Sequence, residues 1–277
     1  GCPAEETLVG KTFMAKAGVF DDLDAALAWH PGDINAVWSG SSLAMNSFKV
    51  NFYGVSAHAA ADPYNGRSAL DAAQLMDIGV NYLREHIIPE ARMHSVITSG
   101  GQAPNVVPAY AQIWYFVRAP TREQVDAIYA RVLDIAKGAA LMTGTTYDVD
   151  FVTGCYELLP NLALSRLMLE KMQEIGGLSF TEEEQEFARK LQQTFAPGTV
   201  AQGFEQVKRL VSCELDPAAM ERPLWGGVLP HTEEPIVMPG STEVGDVSQI
   251  TPTAQVTTCC WPLGTPGHSW QGGASSG

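Results

Sequence analysis

Residues 45–53 read MNSFKVNFY, and their pattern decides the fold. Phe48, Val50 and Phe52 alternate with Lys49, Asn51 and Tyr53, the two-residue period of a strand with one buried face. A polar, glycine-containing loop follows from Gly54 to Gly66. Ala69, Ala72, Ala73, Met76, Val80, Leu83 and Ile87 then recur at steps of three and four, one face of a helix, which Pro89 stops. Met93 to Thr98 reads as a short strand, SGGQAPNVVP (99–108) as a loop, and Tyr110 to Arg118 as a third strand. Thr121 and Gln124 form a capping-box pattern ahead of a second helical stripe, Val125, Ile128, Tyr129, Val132 and Ala136. Tyr147, Val149 and Phe151 alternate as a last strand. The order strand, helix, strand, strand, helix, strand is the split βαβ pattern of ferredoxin-like domains, with two helices over one sheet face and an exposed edge strand.

The flanks have a different texture. Residues 1–40 hold GCPAEE, a helix and AWHPGD (28–33). After Gly154, Leu162 to Ile175 reads as a helix, and Thr181 opens another whose acidic first turn suits the helix dipole. From Pro217 to Gly277 the chain is rich in Pro, Gly, Thr and Ser and reads as loop-rich. The expected organisation is a compact insert, 43–155, within a second domain built from 1–42 and 156–277.

Composition narrows the function. Of 277 residues 45% are hydrophobic, enough for a normal core. The 17 Lys and Arg against 31 Asp and Glu leave a net charge of -14, which argues against nucleic acid and against an anionic membrane surface as partners. No apolar run approaches the roughly 18–20 residues of a transmembrane helix, and the N-terminus lacks the pattern of a secretory signal. Five scattered cysteines without a CxxC pair fit neither a disulfide scaffold nor a zinc site, and point to a reducing cytoplasm. Dinucleotide, phosphate-loop, nucleophile-elbow and HExxH motifs are all missing from the sequence.

Several residues can carry chemistry. The adjacent carboxylates Glu5 and Glu6 suit a solvated helix start, or a metal site in which one binds the ion and its neighbour takes a proton from the metal-bound water. His30 lies between an apolar run and a turn, where a strand end can present a ligand. His58 and His268 each stand in an open loop of small residues that lets backbone approach a ligand closely. Taken singly, each of these also suits a plain surface role. His86 and His94 read as structural, His231 has no assignment, and the Cys259–Cys260 pair reads as buried rather than reactive. Cys2 as a thiol nucleophile lacks any supporting context.

Six motifs occur in one order: GCPAEE, AWHPGD, FYGVSAHAAADPYNGRSALDA (52–72), GGQAPNVVP (100–108), STEVGDVS (241–248) and GTPGHSWQ (264–271). Together they resemble the metal-dependent amidohydrolases that include aminoacylases, indole-acetyl-amino-acid hydrolases and folate-cleaving carboxypeptidase. The resemblance implies an α/β, two-metal aminopeptidase-like catalytic domain, interrupted by a ferredoxin-like split βαβ lid and dimerisation domain. It implies hydrolysis of an N-acyl amino acid, p-aminobenzoyl-glutamate foremost. Residue by residue, Glu5 corresponds to the general base, and Glu6, His30 and His268 to metal ligands. His58 would polarise the scissile carbonyl, often in a neighbouring protomer's site, Asn105 would support it, and Arg118 would bind the substrate carboxylate bidentately. Two divalent ions, zinc or manganese, and a homodimer or a heteromer with a related A subunit are implied as well. Further ligands are expected upstream of Gly1 and a terminal helix beyond GHSWQ, so the chain is expected to be part of a longer product. That expectation leaves a second function class open, a non-enzymatic assembly or ligand-binding subunit.

Overall fold

The structure, a computed structural model, describes residues 10–211, 221–234 and 236–276. In chain order the elements are α1 (Gly10–Lys16), β1 (Ala26–Gly32), β2 (Ala36–Trp38), β3 (Ser41–Ser42), β4 (Ala44–Tyr53), α2 (Ala69–Leu83), β5 (Arg92–Ser99), β6 (Tyr110–Ala119), α3 (Arg122–Thr143) and β7 (Thr146–Cys155). They continue with α4 (Leu162–Ile175), α5 (Glu182–Gln192), α6 (Thr199–Val211), β8 (Val237–Met238), α7 (Val244–Ser248), β9 (Thr253–Cys259) and α8 (Trp270–Ser276). Among the described residues, no helix is long and apolar enough to cross a membrane. Two compact units are present. The first gathers residues 10–19, Ser42–Leu158 and Val237–Asp246; the second holds Phe20–Ser41, the described residues after Leu158 up to 234 and Ile236, and those from Val247 onward.

In the first unit four antiparallel strands take the order β5-β6-β4-β7. β4 is central. Phe48, Val50 and Phe52 are fully buried as the alternation predicts, but Asn51 on the opposite face is buried too, donating to Asp148 and accepting from Tyr110 and Gln112. They pack with Ile113, Tyr115 and Val117 of β6 beneath α2 and α3. Burying each such side chain contributes about 1.5–3 kcal/mol. Phe48 stacks on Tyr115 with ring centroids 5.8 Å apart and meets Tyr129 of α3 edge-on at 4.7 Å. The cap of α3 forms as expected: Thr121 Oγ1 accepts from the Gln124 amide, and the Gln124 side chain accepts from the Thr121 amide. Gly144 ends that helix in the left-handed conformation, φ +63°.

The helical stripe of α2 ends earlier than its apolar spacing suggests. Arg84–His86 form a 3-10 turn, and Ile87 is extended. Arg131 of α3 donates to the His86 carbonyl at 2.7 Å, so this corner is held by a side chain rather than by a further helical turn. α1 joins the same unit: Lys11 Nζ lies 2.8 Å from Glu243 Oε1, and Thr12 Oγ1 donates to Asp246 at 2.8 Å. Both acids come from STEVGDVS.

In the second unit the sheet order is β1-β9-β2, with β1 parallel and β2 antiparallel to β9. β9 lies in the stretch that reads as loop-rich from composition, so that reading misses the central strand of this sheet. Ile34, Ala36, Phe204, Val207, Leu229 and Leu263 form the main core here. Asn35, 3% exposed, fastens three segments. Its Nδ2 donates to the Gly226 and Gly227 carbonyls at 2.9 and 3.2 Å, and its Oδ1 accepts the Cys259 amide at 2.9 Å.

Asn35→Ala strands those buried groups and is expected to lower stability by about 1–3 kcal/mol, whereas Thr121→Ala is expected to cost about 1 kcal/mol. Urea unfolding of the two variants checks this ranking. An Asn35→Ala midpoint equal to that of the unaltered protein would show that Asn35 anchors nothing.

Candidate functional site

The first unit joins two motifs that lie far apart in sequence. The loop after β4 is zipped to the loop before β6. Gly54 N–H donates to the Ala109 carbonyl at 2.8 Å, Val107 N–H to Ala57 at 2.9 Å, and Ala59 N–H to Asn105 at 3.0 Å. His58 and Val106 form an isolated antiparallel bridge. Gly54 is required for this closure, because a Cβ there would lie 1.9 Å from the Arg67 carbonyl oxygen. His58 and Asn105, both exposed, therefore sit side by side on a backbone frame.

The His58 ring is oriented by its own loop. Nδ1 accepts the amides of Ala60 and Ala61 at 3.2 and 3.1 Å. A nitrogen that accepts carries no proton, so this hydrogen-bond pattern assigns the neutral ring's proton to Nε2. The ring thus presents one N–H donor outward, the group needed to meet negative charge growing on a carbonyl oxygen.

Arg118 lies at the other end of β6. Tyr110 and Arg118 are eight residues apart along that strand, about 27 Å at 3.4 Å per residue. The structure therefore brings His58 and Asn105 together and places Arg118 at the far end of the sheet. Burial lowers the Arg118 pKa from its ordinary value. Its guanidinium lies over the Phe116 ring, 5.1 Å from the centroid, with Nη1 3.4 Å from His94 Nδ1. Nε–H is buried and meets no acceptor among the described residues. A half-buried guanidinium with an unmet donor suits a ligand carboxylate.

His30 and His268 belong to the second unit. His30 is exposed near the C-terminal end of β1, opposite Thr257 of β9. Its Nδ1 is 2.6 Å from the Pro31 carbonyl oxygen, which can only accept, so Nδ1 is the donor and Nε2 keeps its lone pair. That is the tautomer a metal-ligating imidazole needs. Trp38 meets the ring edge-on at 6.4 Å. His268 has φ +53°, the single positive value at a non-glycine residue among those described. An L-residue held there costs about 1–2 kcal/mol.

Sequence reading passed over Asp33. Its Oδ2 accepts the Gly264 amide at 3.1 Å, while the Gly32 carbonyl accepts Cys260 N–H at 2.8 Å. Asp33 thereby ties AWHPGD to the start of GTPGHSWQ, the two motifs that carry His30 and His268. Burial raises its pKa. The signal was its place inside a motif read only for the histidine. Glu5 and Glu6 lie outside the described residues, as do Cys2 and Cys213. Among the described residues, no group of three or more His, Cys, Asp or Glu is placed to hold a metal ion. His30 has the donor geometry of a ligand, and the described residues by themselves do not fit a complete metal site.

Residues 44–142 match the family model described as a peptidase dimerisation domain, of the M20 type. This stretch runs from the start of β4 to the end of α3. Similarity extends beyond that domain: the chain is 42% identical to the B subunit of p-aminobenzoyl-glutamate hydrolase from Escherichia coli over 98% of its own length and 57% of that protein's. It is 35% identical to Xaa-Arg dipeptidase of Mus musculus over 64% of this chain and 41% of that protein. Against the A subunit of the same Escherichia coli hydrolase it is 33% identical over 54% of this chain and 35% of that one. The chain thus spans about half the length, or less, of these relatives. The fold is shared with the aminobenzoyl-glutamate utilization protein of Klebsiella pneumoniae, at TM-score 0.60, 21% identity, and coverage of 92% of this chain and 55% of that one. It is shared also with a dinuclear metal binding peptidase of the M20 family from Bacillus subtilis, at TM-score 0.50 and 13% identity over 93% of this chain and 54% of that one. The α/β class with a split βαβ insert agrees with these neighbours. His58, Asn105 and Arg118 all lie within or beside the sheet of the matched segment.

The ring geometry and the thiol burial can both be checked in solution. Nitrogen-15 NMR at neutral pH should show the neutral His58 ring protonated at Nε2; an Nδ1–H signal would remove the assigned donor. Burial pushes the Cys155 and Cys259 thiols up to about 12. Alkylation of the folded protein at neutral pH should therefore spare both, as peptide mass spectrometry would read, and label them only after unfolding.

Proposed function

We propose that the protein is a metal-dependent amidohydrolase of the cytoplasm that cleaves an N-aroyl amino acid, p-aminobenzoyl-glutamate foremost, to p-aminobenzoate and glutamate. The observation that carries this reading is the His58–Asn105 frame, with one imidazole N–H aimed outward from a domain of the M20 type. The name of the relative that is 42% identical over 98% of this chain supports the substrate class.

In this reading residues 43–155 are the lid and dimerisation domain, and 1–42 with 156–277 contribute to the catalytic domain. Glu5 serves as general base, and Glu6, His30 and His268 serve as ligands within a set for two divalent ions, zinc or manganese. Such ions, when bound, supply Lewis acidity toward an amide oxygen and a water of pKa near 7. His58 Nε2–H meets the charge that develops on the carbonyl oxygen, and Asn105 supports the same group. Arg118 receives the substrate's carboxylate. The length of β6 between the His58–Asn105 end and Arg118 favours a site completed by two copies, each lending opposite ends of its sheet. A homodimer or a heteromer with a related A subunit meets that need.

A second reading, a chain that assembles but does not turn over, is favoured by the fact that the described residues place no three candidate metal ligands together. Metal content separates the two. After chelation and re-addition of zinc or manganese, the hydrolase reading expects close to two ions per chain and release of p-aminobenzoate; much less than one ion without turnover supports the second reading.

Glu5→Gln is expected to abolish turnover with metal content unchanged. His58→Gln is expected to lower kcat by about 10²–10³ with little change in KM. Mixing His58→Gln with Arg118→Ala chains should restore part of the activity if sites are completed between copies. Full activity of His58→Gln would sink the assignment.

A further inference from the structure

A cavity of about 530 Å³ opens in the first unit between α1, the N-terminal part of α3 and the end of β7. It involves none of the residues assigned to the reaction. Its size falls within the roughly 300–1,000 Å³ usual for small-molecule sites.

The lining has an uncommon make-up. Phe13, Phe151 and Tyr156 are 66%, 51% and 45% exposed and gather at this one opening. Tyr129 backs them, its ring 6.1 Å from that of Phe151 at 71°. Apolar rings held at a common surface favour a flat aromatic partner, which stacks with a preference beyond simple area burial.

The polar groups define the partner's charge. Asp246 is engaged through both carboxylate oxygens and Asp126 through one. Asp126 pairs with Arg122 Nη2 at 2.7 Å, and Asp246 accepts from Thr12 Oγ1 and from the Tyr156 amide. The donors are not all met. Arg122 Nη1 donates to the Met45 and Cys155 carbonyls, but its buried Nε–H has no acceptor among the described residues. Lys16, on the rim, has no ion pair among the described residues. A ligand that brings an acceptor, preferably anionic, meets the unpaired Lys16 and the unmet donor of Arg122.

We propose that this cavity is a binding site for a small aromatic carboxylate, with the ring against Phe13, Phe151 and Tyr156 and the carboxylate on Lys16 and Arg122. The site stands apart from the amide-cleaving reading and does not rest on it. Its ligand class includes the aromatic acid that such a cleavage would release, so a product could bind the dimerisation domain away from Arg118.

Isothermal titration calorimetry of the whole chain with 4-aminobenzoate tests the site without reference to turnover. Saturable binding is expected, weakened about tenfold or more by Lys16→Ala, through loss of a charge-assisted contact. Lys16→Arg should restore it. Phe13→Ala should also weaken it, and Arg118→Ala should leave it unchanged. Both Phe13 and Lys16 are exposed, so these variants keep the fold, which circular dichroism verifies. Benzylamine, with the ring and the opposite charge, should give no saturable heat. The proposal is overturned by absence of saturable binding, by equal affinity for benzylamine, or by binding that Arg118→Ala removes and Lys16→Ala does not.

Discussion

Strand β4 has a hydrogen-bonded neighbour on each side and a layer of helices over one face, and the first unit depends on its register. Slipping it by one residue would turn Phe48, Val50 and Phe52 away from the helices and bring Lys49 and Asn51 beneath them. Burying an unpaired ammonium there would cost several kcal/mol, so one register survives. That register fixes where β6 begins and ends, and with it the separation of the His58–Asn105 frame from Arg118. The placement of the candidate chemistry is thus a consequence of a two-residue period in nine residues of sequence.

The loop frame adds a second level of order. Loops tend to be the most mobile parts of a domain, yet here two of them share backbone hydrogen bonds as a short sheet would. A side chain fixed by amides of its own loop, as His58 is, needs no second copy to choose its tautomer. The partner it needs is the group to which it donates. This is preorganisation in the ordinary sense, since the donor's direction is set before any substrate arrives.

Much of this was legible in sequence, and the failures have physical causes. The strands and helices from β4 to β7 follow local periodicity, and so do α4 and α5, with boundaries within a few residues of those expected. Thr121 and Gln124 announced their cap because capping is local chemistry. β9 escaped because its Thr-rich run has no alternation; it is held by β1 and β2, whose residues lie more than 200 positions earlier. The same distance hid Asp33, whose carboxylate matters only because the fold delivers Gly264 to it. The contact between His58 and Asn105 was hidden too, since nothing at 47 residues' spacing marks two loops as neighbours. The family resemblance named these residues, but their tautomers and frames came from the fold.

The four-stranded and three-stranded sheets also differ in when they can exist. The last strand of the four-stranded sheet, β7, ends at Cys155, so all four of its strands have been made before β9 begins at Thr253. The second cannot form until β9 is made, ending at Cys259, although its first strand begins at Ala26. During synthesis β1 must wait for β9 while the four-stranded unit can fold ahead of it. The four-stranded sheet can therefore close while β1 still lacks its ladder of backbone hydrogen bonds, so the two sheets are not bound to form in a single step.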